Sequence, residues 1–282
     1  MPVLKALLRR KLVLLGLFII LVFVIVAVFA PWIAPYAPDV QFDDGLDDIG
    51  APLGPDVKFW LGTDTLGRDF LSRLIFGSRA TLIVAIVANT FAVAIGVLIG
   101  VTAGYVRGPL GNLMMRFTDL MTAFPALLLA ILLAALIGPS LGIVMVVIAM
   151  VNWVQVARVT YTETISLAER DFITAERSLG AGTARILFKH MLPHVVPTVI
   201  VYGTLGIATT SLTEATLSFL GIGVQPPIAS WGNMANEGQT YFDSAPWLVF
   251  FPSVCIALLA LSFNLVGDAL RDILDPTLRG RH

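Results

Sequence analysis

The stretch that decides the fold is residues 120–157, LMTAFPALLLAILLAALIGPSLGIVMVVIAMVNWVQVA, which holds no charged side chain over 38 positions. A single helix of this length would extend for about 57 Å, whereas the hydrocarbon layer of a bilayer is about 30 Å thick. The sequence GPSLG at residues 138–142 lies in the middle and is typical of a turn. We therefore predict two membrane-spanning helices, at residues 116–137 and 141–158, joined by a short hairpin.

Four further apolar stretches are long enough for a membrane span, which needs about 20 residues. They predict spans at residues 11–34, 80–105, 195–215 and 245–267. The composition agrees, because 57% of the residues are hydrophobic and only 13% are charged, about half the charged share of a soluble globular protein. The first span is longer than the apolar core of a signal peptide, so we expect it to remain attached. The predicted fold class is an all-α integral membrane protein with six transmembrane helices.

The distribution of basic residues predicts the orientation, because cytoplasmic loops of membrane proteins are enriched in Lys and Arg. Six spans place both termini on one side, together with 14 of the 18 basic residues. The other four are Lys58, Arg68, Arg73 and Arg79. We therefore predict that residues 1–10 and 269–282 are cytoplasmic and that residues 35–79 form an extracytoplasmic loop, ending in a short helix at 68–76. The acidic residues of this loop are Asp39, Asp43, Asp44, Asp47, Asp48, Asp56, Asp64 and Asp69.

A polar segment at residues 166–193 separates the fourth and fifth spans, and the predicted orientation places it in the cytoplasm. Its main part, residues 171–193, reads DFITAERSLGAGTARILFKHMLP. Phe172, Ala175 and Leu179 follow one another at helical spacing and form a narrow apolar stripe. Such a stripe suits docking into a groove of a soluble cytoplasmic partner. Periodicity alone equally allows an amphipathic loop that lies on the membrane surface.

Capping residues divide this segment into two short helices. Ser166 and Asp171 fit helix N-caps, with Glu169 completing a capping box after Ser166. Gly180 fits a helix C-terminal position that needs positive φ, and Thr183 fits the N-cap of the next helix. We therefore expect a glycine elbow between the two helices.

Polar side chains inside the predicted spans are candidates for a translocation path, because exposing them to lipid is costly unless they face a cavity or a partner. The candidates are Asn152, Gln155, Thr213, Glu214 and Asn264. Glu214 is the only carboxylate deep within its apolar run. The alternative is that these side chains join helices to one another or lie near the membrane interface.

Several functional classes find no support in the sequence. It has no Gly-Lys dipeptide and therefore no P-loop for a nucleotide, so we do not expect the chain to hydrolyse ATP. Its single cysteine, Cys255, cannot form an internal disulfide, and its three histidines do not form a metal-binding set. No run of Lys and Arg suggests nucleic-acid binding. A stand-alone secondary transporter would show inverted repeats and an ion site within the spans, and the sequence has neither. A membrane-embedded enzyme would need a Ser/His/Asp set, and the sequence does not show one.

Four motifs along the chain have a recognisable pattern. They are LGTDTLGRD at residues 61–69, LSFLG at 217–221, SWGNM at 230–234 and FNLVGD at 263–268. Together they resemble the permease subunits of ABC importers, and in particular the C-type subunit of the oligopeptide and dipeptide branch.

The cytoplasmic segment resembles the EAA loop of the same family, whose pattern is E-A-A, three residues, G, nine residues, I, one residue, L-P. The residues that match this pattern are Ala175, Gly180, Leu192 and Pro193. The residues that depart from it are Thr174 at the glutamate position, Glu176 at the second alanine and His190 at the isoleucine.

This resemblance implies a type I ABC importer permease fold in the bacterial cytoplasmic membrane, with the ABC type-1 transmembrane domain at residues 77–268. It implies that the chain forms half of a translocation pathway for peptides. The implied partners are a homologous B-type permease subunit, two ATPase subunits that carry ATP and Mg²⁺, and an extracytoplasmic substrate-binding protein. The chain itself would bind no cofactor. Other cargoes within the family are nickel, opines and sugar derivatives.

The resemblance also assigns roles to single residues. Coupling to the ATPase is implied for Asp171, Phe172, Thr174, Ala175, Glu176, Leu179, Gly180, Leu192 and Pro193. Contact with the binding protein is implied for Asp64, Arg68, Trp231 and Asn233. The alternative for these four residues is packing of the outer loops against the spans.

Overall fold

The computed structural model describes residues 6–274, and its regular structure is helical apart from three isolated bridges in the outer loop. The helices are α1 (Lys11–Val28), α2 (Ala30–Ile33), α3 (Phe70–Val106), α4 (Gly108–Ala123), α5 (Ala126–Ile137), α6 (Leu141–Ala168), α7 (Asp171–Ser178), α8 (Thr183–Arg185), α9 (Leu192–Phe219), α10 (Trp231–Gly238) and α11 (Trp247–Leu274). A π-helical turn, Ile186–Met191, connects α8 to α9, and a 3₁₀ turn, Gln239–Tyr241, follows α10.

Within the described residues, five helices are long and apolar enough to cross a membrane, and the total is six when one bent pair of helices is counted as a single span. The single helices are α1, α3, α6, the continuous stretch from α8 to α9, and α11. This confirms the predicted class of helical membrane protein. The cytoplasmic ends predicted at residues 1–10 and 269–282 lie partly outside the described residues, and the orientation stays a prediction.

The bent pair corrects the span predicted at residues 116–137. There the chain forms α4 and α5, which meet at 87°. Pro125 has no N–H to continue α4, and the residue before a proline is driven out of the helical region. Phe124 accordingly adopts φ −90° and ψ 133°, and Pro125 becomes the N-cap of α5. Because α5 has 12 residues, it extends for only about 18 Å and does not cross the bilayer alone.

The most extensive helix pairing joins α3 to α6. Gly96, Gly100 and Gly104 lie one turn apart on α3 and face the backbone of α6. A Cβ at Gly100 would collide with the hydroxyl of Thr160 and the carbonyl of Ala157. Small residues at four-residue spacing let two membrane helices approach closely, which is how such helices gain packing energy in lipid.

Helix α3 begins ten residues before the predicted span at residue 80. The carboxylate of Asp69 accepts a hydrogen bond from the backbone N–H of Ser72 at 2.8 Å and caps the helix. The short helix predicted at 68–76 is therefore the first part of α3 and not a separate element. The extension carries Arg73 and Arg79 beyond the apolar run, towards the outer loop.

Candidate coupling segment and translocation cavity

Residues 166–193 form the candidate coupling segment, and one side of it packs on the chain's own helices. Ile173 of α7 is fully buried with Ile186, Met191 and Leu167. The ring of Phe172 stacks on His194, with 5.2 Å between the ring centroids. In so short a helix, the spacing of the apolar residues fits two adjacent faces. The predicted stripe followed the face that does not contain Ile173. The structure therefore assigns Ile173, with part of Phe172, to the inner face.

The opposite face of α7 is open. Thr174, Ala175 and Leu179 are exposed, and the side chain of Leu179 is 83% accessible. An exposed leucine of this size beside a glycine turn is apolar surface without a covering residue in the described chain. Two members of the predicted stripe thus remain available for a partner.

The elbow at Gly180 has the conformation that the sequence predicts. Gly180 adopts φ +82°, in the left-handed region that favours glycine. Its N–H donates to the carbonyl of Arg177 at 3.0 Å, and the N–H of Ala181 donates to the carbonyl of Glu176 at 3.0 Å. These two hydrogen bonds form a Schellman motif, which satisfies the last carbonyls of α7.

The predicted N-caps are wrong by one to four residues. Helix α6 continues to Ala168, so Ser166 lies inside it. Arg170 and Gly182 occupy the N-cap positions of α7 and α8, without a side-chain capping bond. Asp171 is instead the first residue of α7, where a carboxylate still interacts favourably with the helix dipole.

Two residues that depart from the EAA pattern contact each other. The Glu176 carboxylate lies 3.5 Å from Nε2 of His190, so it joins α7 to the π-helical turn. Leu192 and Pro193 then begin α9, with Leu192 half-buried and Pro193 exposed. Because Pro193 lacks an N–H and crowds the preceding turn, the wider π-helical turn ahead of it relieves the clash.

Contacts with the end of α3 hold the segment against the membrane bundle. The guanidinium of Arg177 lies over the ring of Tyr105 at 4.8 Å from its centroid. Arg107 forms an ion pair with Glu169 at 3.2 Å and donates to the carbonyl of Ile165 at 3.0 Å. These contacts join the segment to the ends of α3 and α6.

A cavity of about 510 Å³ opens between α3, the α4–α5 bend, α6 and α9. Asn152, Gln155 and Thr213 line it, so the structure brings together three of the five predicted pathway residues. The cavity is also lined by polar residues that were not predicted for the pathway, including Asn89, Tyr202 and Thr209. No Asp, Glu, Lys or Arg belongs to the lining as the structure describes it.

Asn89 was detectable by the criterion that selected Asn152, because it is an amide in the middle of an apolar span. Its side-chain nitrogen donates to the carbonyl of Gly203 at 2.7 Å, which links α3 to α9. The amide of Asn152 donates to the hydroxyl of Thr210 at 3.2 Å. The cavity therefore has polar groups held in place by helix-to-helix hydrogen bonds.

Glu214 and Asn264 do not line this cavity, and their place on a translocation path stays a prediction. Glu214 is completely buried and accepts a hydrogen bond from the hydroxyl of Ser218 at 2.8 Å. Its other polar neighbours are Ser230 and Thr81, so it joins α9 to α3 and to the start of α10. Asn264 is exposed on α11, a helix that contributes nothing to the cavity lining.

The outer residues assigned to binding-protein contact lie inside the chain. Asp64, Arg68, Trp231 and Asn233 are each at most 6% exposed. The guanidinium of Arg68 contacts the Asp64 carboxylate at 2.6 Å and the Glu237 carboxylate at 3.3 Å. Arg73, which is fully buried, contacts the same two carboxylates at 3.0 and 3.2 Å. We call Asp64, Arg68, Arg73 and Glu237 the outer ion network, after the predicted orientation.

Two further hydrogen bonds position Glu237 within α10 and attach α10 to α3. The amide of Asn233 donates to Glu237 at 3.0 Å, and the indole N–H of Trp231 donates to the carbonyl of Leu74 at 2.9 Å. Loop packing against the spans is therefore the role that the structure gives to these residues.

Comparisons with known proteins agree with this architecture. A family model described as "Binding-protein-dependent transport system inner membrane component" matches residues 96–280, and another, "N-terminal TM domain of oligopeptide transport permease C", matches residues 3–55. The di/tripeptide transport system permease protein DppC of Pseudomonas aeruginosa is 41% identical over 94% of this chain and 88% of its own length. The oligopeptide transport system permease protein OppC of Bacillus subtilis is 37% identical over 96% of this chain and 87% of its own.

A third relative, the glutathione transport system permease protein GsiD of Escherichia coli, is 39% identical over 94% of this chain and 86% of its own length. These relatives are bacterial, and the described chain has several helices that can span a membrane, so the protein is a multi-pass protein of the cytoplasmic membrane. The family consists of permease subunits and not of enzymes. The chain belongs to the family of binding-protein-dependent transport system inner membrane components.

Proposed function

We propose that this chain is one permease subunit of an ATP-driven importer and forms half of the translocation pathway for peptides. The relatives are named for di- and tripeptides, oligopeptides and glutathione, which all contain amide bonds. A B-type permease subunit would supply the other half of the pathway. A substrate-binding protein would deliver the cargo from outside.

The observation that carries this proposal is the cavity between α3, α6 and α9. Asn152, Gln155 and Thr213 provide amide and hydroxyl groups that exchange hydrogen bonds with a peptide backbone whatever its side chains. A described lining without charged groups neither attracts nor repels a particular peptide charge. Such a surface suits passage of varied peptides better than tight retention of one.

Coupling would use the exposed face of α7. ATP and Mg²⁺ would be held by two cytoplasmic ATPase subunits, and hydrolysis would take place there. Closure of the ATPase dimer would move Ala175 and Leu179, and the movement would reach α3 through Tyr105 and Arg107. A nucleotide shifts the permease between outward and inward states only if the contacts at this face differ between them. This proposal includes cytoplasmic termini.

The test measures peptide uptake by the complete importer reconstituted in vesicles. Labelled dipeptide is supplied on the side of the membrane where the binding protein acts, and ATP on the side of the ATPase subunits. We expect ATP-dependent dipeptide accumulation that requires the binding protein. Parallel assays with nickel, an opine and a sugar derivative examine the other cargoes. Accumulation of one of these, without peptide uptake, would refute the peptide assignment and retain the importer.

A stand-alone secondary transporter predicts a different dependence. Its uptake would persist without the ATPase subunits and would collapse when an ionophore removes the ion gradient. Our proposal predicts the reverse in both assays. Purification of an active permease without any ATPase subunit would therefore refute the coupling mechanism.

A further inference from the structure

A second concavity, which we call the lateral groove, lies on another face of α3 and has a volume of about 420 Å³. Its walls are α3, the π-helical turn and the start of α9, and nine of its eleven lining residues are apolar. The hydroxyl of Thr90, one of the two threonines, donates within its own helix to the carbonyl of Ile86 at 2.7 Å. The groove therefore offers almost pure hydrocarbon surface.

In the proposed orientation, the lateral groove lies in the cytoplasmic half of the bilayer. Its α3 residues run from Thr90 to Thr102, and α3 ends at Val106. At about 1.5 Å per residue, the groove extends from about 6 to about 24 Å above that end. Leu98 and Phe188 on its rim are 65% and 70% exposed. This rim is apolar surface that the described chain leaves uncovered.

Two cations lie close in sequence to the groove-lining residues Leu187 and Phe188. Arg185 and Lys189 flank Phe188 in the sequence, both are exposed, and neither forms an ion pair with another described residue. Cations beside the cytoplasmic leaflet attract anionic lipid headgroups. An apolar slot with unpaired cations beside its lining residues in the chain is complementary to an anionic phospholipid.

We propose that the lateral groove binds an anionic phospholipid of the cytoplasmic leaflet, with an acyl chain along α3 and the headgroup phosphate on Arg185 and Lys189. This inference rests on the orientation in the proposed function. A second helix is a poorer occupant, because close helix packing uses small residues, as on the Gly96 and Gly100 face. The lateral groove is walled instead by Val, Leu and Phe side chains that leave a gap. The bound lipid would touch the turn that leads from the coupling segment into α9.

The test measures lipid retained by the purified complete importer after equilibration with vesicles of phosphatidylcholine and phosphatidylglycerol, using native mass spectrometry. The double variant Arg185→Gln/Lys189→Gln should lower retained phosphatidylglycerol by about 25-fold, since each of the two cations near an anionic headgroup changes binding by about fivefold. The charge-matched control Arg116→Gln/Arg271→Gln removes two exposed cations away from the groove and should change nothing.

Filling the groove tests the acyl-chain part separately. Val97→Trp should lower retention of both lipids in a complex that stays monodisperse with its partner subunit. Loss of the partner subunit in this variant would show that the groove is a protein interface and would overturn the proposal. Unchanged retention of phosphatidylglycerol by the Arg185→Gln/Lys189→Gln variant would also overturn the proposal. Displacement of the bound phosphatidylglycerol by inorganic phosphate would do the same. Lipid retention does not depend on transport, so absent peptide uptake with normal lipid binding would refute only the proposed function.

Discussion

The two polar segments at opposite ends of the helical bundle use their side chains in opposite ways. In the segment at residues 35–79 the charged groups of Arg68 and Arg73 are buried against carboxylates of the same chain. In the coupling segment Leu179 and Phe188 are 83% and 70% exposed. A polar insertion between spans is therefore not by itself a docking surface. The first segment satisfies its polar groups internally, whereas the coupling segment leaves apolar surface uncovered.

The largest effect is expected from breaking the outer ion network. Glu237→Ala leaves Arg68 and Arg73 to share the single carboxylate of Asp64 in a buried site. Removing one partner of a buried ion pair destabilises by about 3 kcal/mol or more. We expect a lower yield in the membrane and a lower unfolding temperature in detergent, measured by thermal aggregation.

The matched control is Lys58→Ala, which breaks an exposed pair in the same loop. Lys58 contacts Asp44 at 2.5 Å, and its hydrogen bond lowers the pKa of that carboxyl. Because water replaces both partners there, the unfolding temperature should stay within experimental scatter. Equal losses in the two variants would contradict the claim that burial separates these charges.

At the cytoplasmic end, Gly180→Pro should abolish coupling without unfolding the bundle. Proline fixes φ near −65°, whereas the elbow needs φ +82°, and it also removes the N–H that bonds to Arg177. We expect normal membrane levels, continued ATP hydrolysis and at least a tenfold loss of peptide uptake. Gly180→Asn, which tolerates positive φ, should keep most of the uptake. Normal peptide uptake by the Gly180→Pro variant would refute this coupling mechanism.

A smaller effect should follow from Leu179→Asp, which changes the exposed face and preserves the elbow. Because the Leu179 side chain is 83% exposed, the free energy of unfolding should change by no more than about 0.5 kcal/mol. The charge would disfavour an apolar contact, so we expect several-fold less ATPase co-purifying with the permease. Ile49→Asp, at an 88% exposed apolar position in the outer loop, is the control and should retain the ATPase. Retention by both variants would move the docking surface away from this face.

The sequence predicts the spans because hydrophobic length is a local property, but it does not predict how the spans bend. The Phe124-Pro125 pair indicates a possible helix break, but the hydrophobicity of an uncharged run is the same whether the helix is straight or bent by 87°. The elbow at Gly180 was predictable because residue type and positive φ are tightly linked. These successes depend on single residues and their near neighbours.

Contacts between distant segments explain what the sequence could not predict. Arg68 lies 169 residues from Glu237, so nothing local distinguishes a buried network from an exposed binding surface. The same holds for Ile173, whose burial depends on how α7 rotates against residues from α6 and the π-helical turn. Glu214 met the criterion for a pathway residue, but helix packing directs it towards Ser218 instead of the cavity.

The smallest effect is expected where the cytoplasmic segment makes its one internal ionic contact, between Glu176 and His190. The separation is 3.5 Å and both side chains are partly exposed, so solvent screening keeps the contribution below about 1 kcal/mol. Glu176→Gln keeps the shape and a hydrogen-bonding group, and it should reduce uptake by less than about threefold. Uptake by reconstituted vesicles at saturating dipeptide is the measurement, with Thr174→Ser on the exposed face as the control. A loss as large as that of Gly180→Pro would mean that the contact itself, and not the elbow, transmits the movement of the ATPase.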